Sequence, residues 1–168
     1  MEHRSLIITV VCAILAVLLQ AILAPFMVIG PAVPNFILAF VIANAVARPT
    51  GGIVAPFVLG LLYDLMGNGP LGAMALVCVV FSFACSRLLM MLNNDTLFIP
   101  IVLIVAGTFL GDAVYGILMI ACGMDVGALE ALVGRALPCG LYDTVLALIM
   151  FPLLARLGAM GSAPLRIR

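Results

Sequence analysis

The sequence predicts an all-α integral membrane protein, a bundle of six transmembrane helices joined by short loops, and three observations carry that prediction. Of its 168 residues 67% are hydrophobic and 8% charged, with a mean hydropathy of +1.42. A soluble domain has roughly a quarter charged residues, because a solvated shell must cover its core. The apolar residues fall into long runs separated by clusters of Gly, Pro, Asn and Asp. The few charges are segregated along the chain, six of seven arginines toward one set of run ends and three aspartates within the runs.

A helix needs roughly 20 apolar residues to cross ~30 Å of hydrocarbon. Six spans are predicted in one polytopic domain covering 1–168, at about 5–24, 31–47, 51–66, 71–92, 97–122 and 133–154. The first begins after Arg4 and has the apolar core of a signal peptide, but its run is long for one and Pro25 follows where cleavage would occur. The second and third are short and meet at Arg48-Pro49-Thr50-Gly51-Gly52. A re-entrant hairpin there would hold Arg48 near mid-membrane, at a cost of roughly 2.5 kcal/mol or more. The remaining turns are Gly67-Asn68-Gly69-Pro70, Asn93-Asn94-Asp95-Thr96 and the stretch 123–132.

With all six spans crossing and the amino terminus in the cytoplasm, Arg4, Arg48, Arg87, Arg156, Arg166 and Arg168 lie inside and only Arg135 outside. The positive-inside rule therefore predicts both termini in the cytoplasm.

Seven arginines balance seven acids, and no basic run exists to bind nucleic acid. Five cysteines lie in or beside apolar runs without a C-x-x-C pair and read as small core residues. One histidine, His3, cannot build a metal site. Neither a Walker A loop, an H-E-x-x-H pair nor a nucleophile elbow occurs. No catalytic residue, metal or cofactor is expected.

Asp64, Asp112 and Asp143 lie inside apolar runs, beside Tyr63, Tyr115 and Tyr142 respectively. Counted from the inner span ends they stand at ~20, ~22 and ~17 Å, a common level in the outer half of the membrane. A carboxyl there must face the bundle interior or a wet cavity and find donors, and the neighbouring tyrosine hydroxyls can donate to it. Gly60, Thr108 and Gly140 precede these aspartates at helical spacing, which suits close helix contact. Two readings stay open: a polar pocket for a small solute or part of a partner, and a set of carboxyls that only satisfy internal donors and fix helix order. Ala39, Ala43 and Ala47, and Gly107 with Gly111, form small-residue stripes expected to seat neighbouring helices within the monomer. Arg87 is expected to snorkel toward headgroups.

Pro34-Asn35-Phe36-Ile37-Leu38, Arg48 with its glycine turn, and the stretch from Gly60 through Asp64 to Gly72 carry a resemblance. They resemble the rod-shape-determining MreD family, with Pro and then Asp or Asn opening the second span and a G-x-x-x-D-like stretch joining the third and fourth. Phe151-Pro152-Leu153-Leu154-Ala155-Arg156 is also similar. Asp143 departs from the pattern, standing where an uncharged polar residue is more usual.

The resemblance implies a non-catalytic membrane subunit of the bacterial cell-elongation machinery that organises peptidoglycan synthesis. Its implied partners are an MreC-like protein and, through it, an MreB-like filament, a RodA-like glycosyltransferase and a class B penicillin-binding protein. Contacts would be made by helix faces and by the outer turn, with Gly60, Gly67, Gly69, Pro70 and Gly72 shaping it and the apolar faces of spans two to four docking a partner helix. The fold also resembles the six-helix substrate-binding subunits of energy-coupling-factor vitamin transporters, the alternative function. Against that alternative, span one has no A-x-x-x-A pair and the chain has no tryptophan. An intramembrane enzyme using the three aspartates lacks any nucleophilic or cationic companion at their level.

Overall fold

A computed structural model describes residues 2–28, 33–67, 69–92, 97–124, 134 and 136–161, with side chains from 7 to 157 within those ranges. The described residues form six α-helices and no strand: α1 (Glu2–Ile22), α2 (Phe36–Ala47), α3 (Val54–Met66), α4 (Ala73–Met91), α5 (Phe98–Ala121) and α6 (Leu137–Gly161). Three of them, α4, α5 and the Leu137–Leu157 part of α6, are long and apolar enough to cross a membrane. The apolar part of α1, Ile7–Ile22, and α2 and α3 are shorter.

Local sequence explains where the helices depart from expectation. Pro25 sits in the first turn of a 3-10 segment, Ala24–Phe26, which succeeds α1 once its regular hydrogen bonds end at Ile22. The second helix begins at Phe36, not at 31, because Asn35 is its N-cap: the Asn35 side chain accepts from Leu38 N at 2.9 Å. Pro31, Asn68 and the expected turn at 93–96 lie outside the described residues, as does nearly all of the stretch 125–135. The last helix runs beyond the expected 154 to Gly161, with Pro152 inside it. Proline removes one helical N–H, and in membrane helices neighbouring groups can satisfy the carbonyl that this frees.

The short helix α2 is the centre. Residues 36–43, 45 and 46 are all buried, and α2 packs against α6, α4, α1 and α5. A helix that is apolar on every side can be enclosed by other helices on all its faces. The expectation that span two offers an outer face to a partner is therefore corrected: its faces are covered by the chain's own helices.

Glycines set how closely the helices approach. A Cβ on Gly111 would meet Leu38 of α2 and Val77 of α4, and one on Gly107 would meet Ile42 of α2 and Cys85 of α4. As residue numbers rise on α2 and α4 they fall on α5, so α5 runs antiparallel to both. Ala39 and Ala43 are fully buried, consistent with small residues seating helices inside the monomer. Cys78, Cys85 and Cys139 are buried, Cys12 is partly buried and Cys122 exposed, and all five are free.

The outer surface is apolar. Ile7 and Val11 on α1, Phe57 on α3, Phe83 on α4, Leu110 on α5 and Ile149 on α6 are all exposed, whereas Asp64, Asp112, Asp143, Asn35, Thr108 and Thr144 are buried. Apolar residues outside and polar residues inside is the arrangement that a lipid solvent selects.

Candidate functional site

The polar residues gather at one end of the bundle, where buried helix starts expose amides that no intrahelical carbonyl can satisfy. At the start of α2, Asn35 N donates to Asp143 Oδ1 of α6 at 2.7 Å. Phe36 N donates to Gln20 Oε1 of α1 at 2.8 Å, and Gln20 Nε2 donates to Pro34 O at 3.3 Å. Together with the Asn35 cap on Leu38 N, side chains from α1 and α6 and from the cap itself take up the first amides of α2. Asn35 Nδ2 reaches Met74 Sδ of α4 at 3.7 Å. Acceptors at a helix N-terminus also complement its partial positive charge.

Asp64 serves the start of α4 in the same way. Its Oδ2 accepts from Gly72 N at 2.9 Å, Met74 N at 3.1 Å and Ala75 N at 3.2 Å, and Oδ1 accepts from Met74 N at 3.1 Å. These donors are backbone amides of the next helix, not the tyrosine hydroxyl that adjacency in sequence suggested. Gly72, with φ at +90°, turns the chain into α4, a backbone conformation that disfavours any Cβ. Pro70 O accepts from Ala73 N at 3.2 Å, and Gly67 ends α3 with its N donating to Tyr63 O at 3.0 Å.

Asp112 and Asp143 meet: their carboxyls lie against each other across α5 and α6. Each carries a buried Oδ2 to which no described N–H or O–H donates. Two carboxyls in contact hydrogen-bond only with a proton between them. Below them Thr108 and Thr144 hydroxyls pair at 2.6 Å, and Thr108 also donates toward Ile104 O at 3.0 Å. The three aspartates thus share an end but not a cluster: Asp112 and Asp143 pair, and Asp64 is engaged by α4.

Beside the pair is a cavity of about 50 Å³, lined by Asn35, Tyr63, Met74, Asp112, Tyr115 and Cys139 among others. At ~10–15 Å³ for each water, it has room for a few waters. Tyr63 and Tyr115 pack edge to face over it, ring centroids 6.0 Å apart and planes at 84°. The Tyr115 hydroxyl presses on Gly69, where no Cβ fits, so α5 pins the turn between α3 and α4. Tyr142 is half-buried on α6. Among the described residues, no three His, Cys, Asp or Glu side chains assemble as metal ligands.

Close approach at two glycines fixes the same end. A Cβ on Gly60 would stand 2.5 Å from Ala75 Cα, and one on Gly140 would stand 2.8 Å from the Phe109 ring. At the opposite end, Arg48 closes α2 with its N donating to Asn44 O at 2.8 Å, and its Nη1 donates to Thr9 Oγ1 of α1. Arg87 is exposed over the Phe83 ring, 5.1 Å from its centroid. Arg156 is exposed on α6. The Arg4 side chain, Arg135, Arg166 and Arg168 lie outside the described residues.

Residue-by-residue reading of the sequence missed Gln20, Thr144 and the sulfur of Met74, and took Asn35 only as part of a motif. Gln20 carried a usable signal, being the one amide in the apolar run from 6 to 24.

Comparison with known proteins bears on this geometry. A family model described as rod shape-determining protein MreD matches residues 3–160. No curated protein and no solved structure matches the chain, and nothing in these comparisons supports the alternative of a vitamin-binding transporter subunit.

Proposed function

The chain belongs to the MreD family of rod shape-determining proteins, and on that premise we propose that it is a non-catalytic, multi-pass subunit of the bacterial cell membrane that organises peptidoglycan synthesis during elongation. In this reading all six helices cross, the arginine end faces the cytoplasm with both termini, and the aspartate end faces outward. The positive-inside rule supports that orientation. Its direct partner is an MreC-like protein, which links it to an MreB-like filament, a RodA-like glycosyltransferase and a class B penicillin-binding protein.

The observation that carries this reading is the turn between α3 and α4. Asp64 binds the amides beyond it and Tyr115 presses on Gly69 within it, so the turn is held from two sides. Around it Leu65 (63% exposed), Met66 (45%) and Leu71 (72%) project outward. A rigid scaffold presenting large apolar side chains suits contact with a partner's helix, since little ordering entropy is lost on docking.

Purification of the tagged chain in mild detergent, followed by identification of retained proteins, tests the proposal. Recovery of an MreC-like partner is expected from the unaltered chain, with a loss of about tenfold or more in Leu65→Gln/Leu71→Gln, which removes two apolar anchors worth ~1 kcal/mol or more each. Full recovery by that variant, at equal membrane accumulation, would place the interface elsewhere. Recovery of an ATPase-coupled transporter in its stead would refute the reading.

A further inference from the structure

The arginine end holds a cavity much larger than the one beside the aspartates. Its volume is about 470 Å³, and α1, α2, α3 and α4 wall it. Arg48 and Arg87 both line it, and its lining residues include no carboxylate. The rest of the wall is largely apolar, with Val41, Leu59 and Phe83 among it.

Two further features define what fits. The N-terminus of α3, a helix of 13 residues, opens here: its N-cap, Ile53, supplies no capping side chain, and Gly51, Gly52, Ile53 and Ala55 are lining residues. A helix N-terminus without a side-chain cap adds positive partial charge and amide donors to those of the guanidiniums. The cavity also opens sideways. Ile53, Phe83 and Met90 line it and are each about half exposed, at 52%, 51% and 47%, so its mouth lies on the apolar outer surface of α3 and α4.

A ligand for this space therefore combines a negative head with an apolar body and enters from the side. We propose that the cavity binds one anionic phospholipid, with its phosphate between Arg48, Arg87 and the first turn of α3 and an acyl chain along Val41, Leu59 and Phe83. Guanidinium forks match phosphate oxygens in geometry and charge. Basic pockets between membrane helices take up anionic headgroups by the same chemistry. Such a lipid would bridge α3 to α2 and α4 at the end opposite the Asp64 contact. The site is separate from the partner-docking turn and does not depend on it.

The test uses the full chain, delipidated in detergent, and follows its thermal melting on addition of phosphatidylglycerol, phosphatidylcholine or inorganic phosphate. Phosphatidylglycerol is expected to raise the melting temperature saturably, while the other two leave it unchanged. In Arg48→Gln/Arg87→Gln the apparent affinity for phosphatidylglycerol is expected to fall about tenfold or more, as loss of charge-assisted hydrogen bonds requires. Because Arg48 also ties α2 to α1, Arg87→Gln alone, an exposed change, provides a second arm with a fall of about threefold or more. Equal stabilisation by phosphatidylcholine overturns the charge-selective site, and stabilisation by inorganic phosphate alone overturns the lipid as its source. Undiminished affinity in both variants, or a protein segment found in the cavity after cross-linking from Ile53→Cys, overturns the proposal outright.

Discussion

Gly60→Ala is expected to separate α3 from α4 and release Asp64 at one stroke. The added Cβ would stand 2.5 Å from Ala75 Cα, 2.7 Å from Ala75 N and 2.7 Å from Met74 O, where ordinary contact begins at 3.4 Å. All three atoms are backbone, so no rotamer change can give way. The helices must part by about 1 Å, and overpacking of this kind costs about 1–3 kcal/mol. One turn further on, Asp64 holds Gly72, Met74 and Ala75 amides at 2.9 to 3.2 Å. A further ~1 Å takes these beyond hydrogen-bonding distance, and losing even one bond to a charged acceptor adds about 1.5–3 kcal/mol. The sum is on the order of 2.5–6 kcal/mol. At about 2–4 °C per kcal/mol for a chain of this size, the melting temperature in detergent is expected to fall by roughly 5–24 °C. Gly52→Ala is the control, because nothing lies within 4 Å of its Cβ position. Size-exclusion fluorescence of tagged protein after heating measures both. A Gly60→Ala variant that melts with the unaltered protein would refute the inferred contact between α3 and α4.

Further outcomes follow from the same end of the bundle. Gly69→Ala is expected to clash with the Tyr115 hydroxyl and lower the melting temperature, and adding Tyr115→Phe to recover a good part of the loss; a double-mutant cycle with no coupling would contradict the contact. Asp112→Asn supplies an N–H to the facing Asp143 carboxyl, so melting is expected at or above that of the unaltered chain. Asp112→Leu leaves Asp143 Oδ2 buried against hydrocarbon and is expected to destabilise by about 1–3 kcal/mol, read from the same melts. Asn35→Ala removes the cap on Leu38 N and is expected to cost about 1 kcal/mol, whereas Asn35→Ser, which keeps a capping oxygen, recovers most of it.

How much could be read from residues alone depended on how far apart the partners are in the chain. Asp64 and the amides it binds are separated by 8 to 11 positions across a Gly-Pro turn, and that turn was legible as the joint of two helices. What the sequence left hidden was the direction of the carboxyl: tyrosine adjacency pointed to side-chain donors, but the start of α4 offers several amides together. Asn35 and Asp143 are 108 positions apart, and no local pattern joins them. Hydropathy marked α2 as apolar but could not say that it is central, because a helix in lipid and a helix inside a bundle are equally apolar. The small residues Gly107 and Gly111 read correctly as close-approach sites, since the missing side chains let Ile42 and Leu38 come within contact of the α5 backbone.

The contact between Asn35 and Asp143 also has a consequence for biogenesis. The start of α2 emerges from the ribosome early, but the carboxylate that accepts the amide of its N-cap belongs to α6, which is made after the other five described helices. Thr108 likewise waits on α6 for Thr144. A nascent chain that stops before α6 therefore leaves the Asn35 amide without its native acceptor and Thr108 without its Thr144 contact. Arrival of α6 supplies both partners, so the packing of α2 and α5 is completed only once α6 has been made.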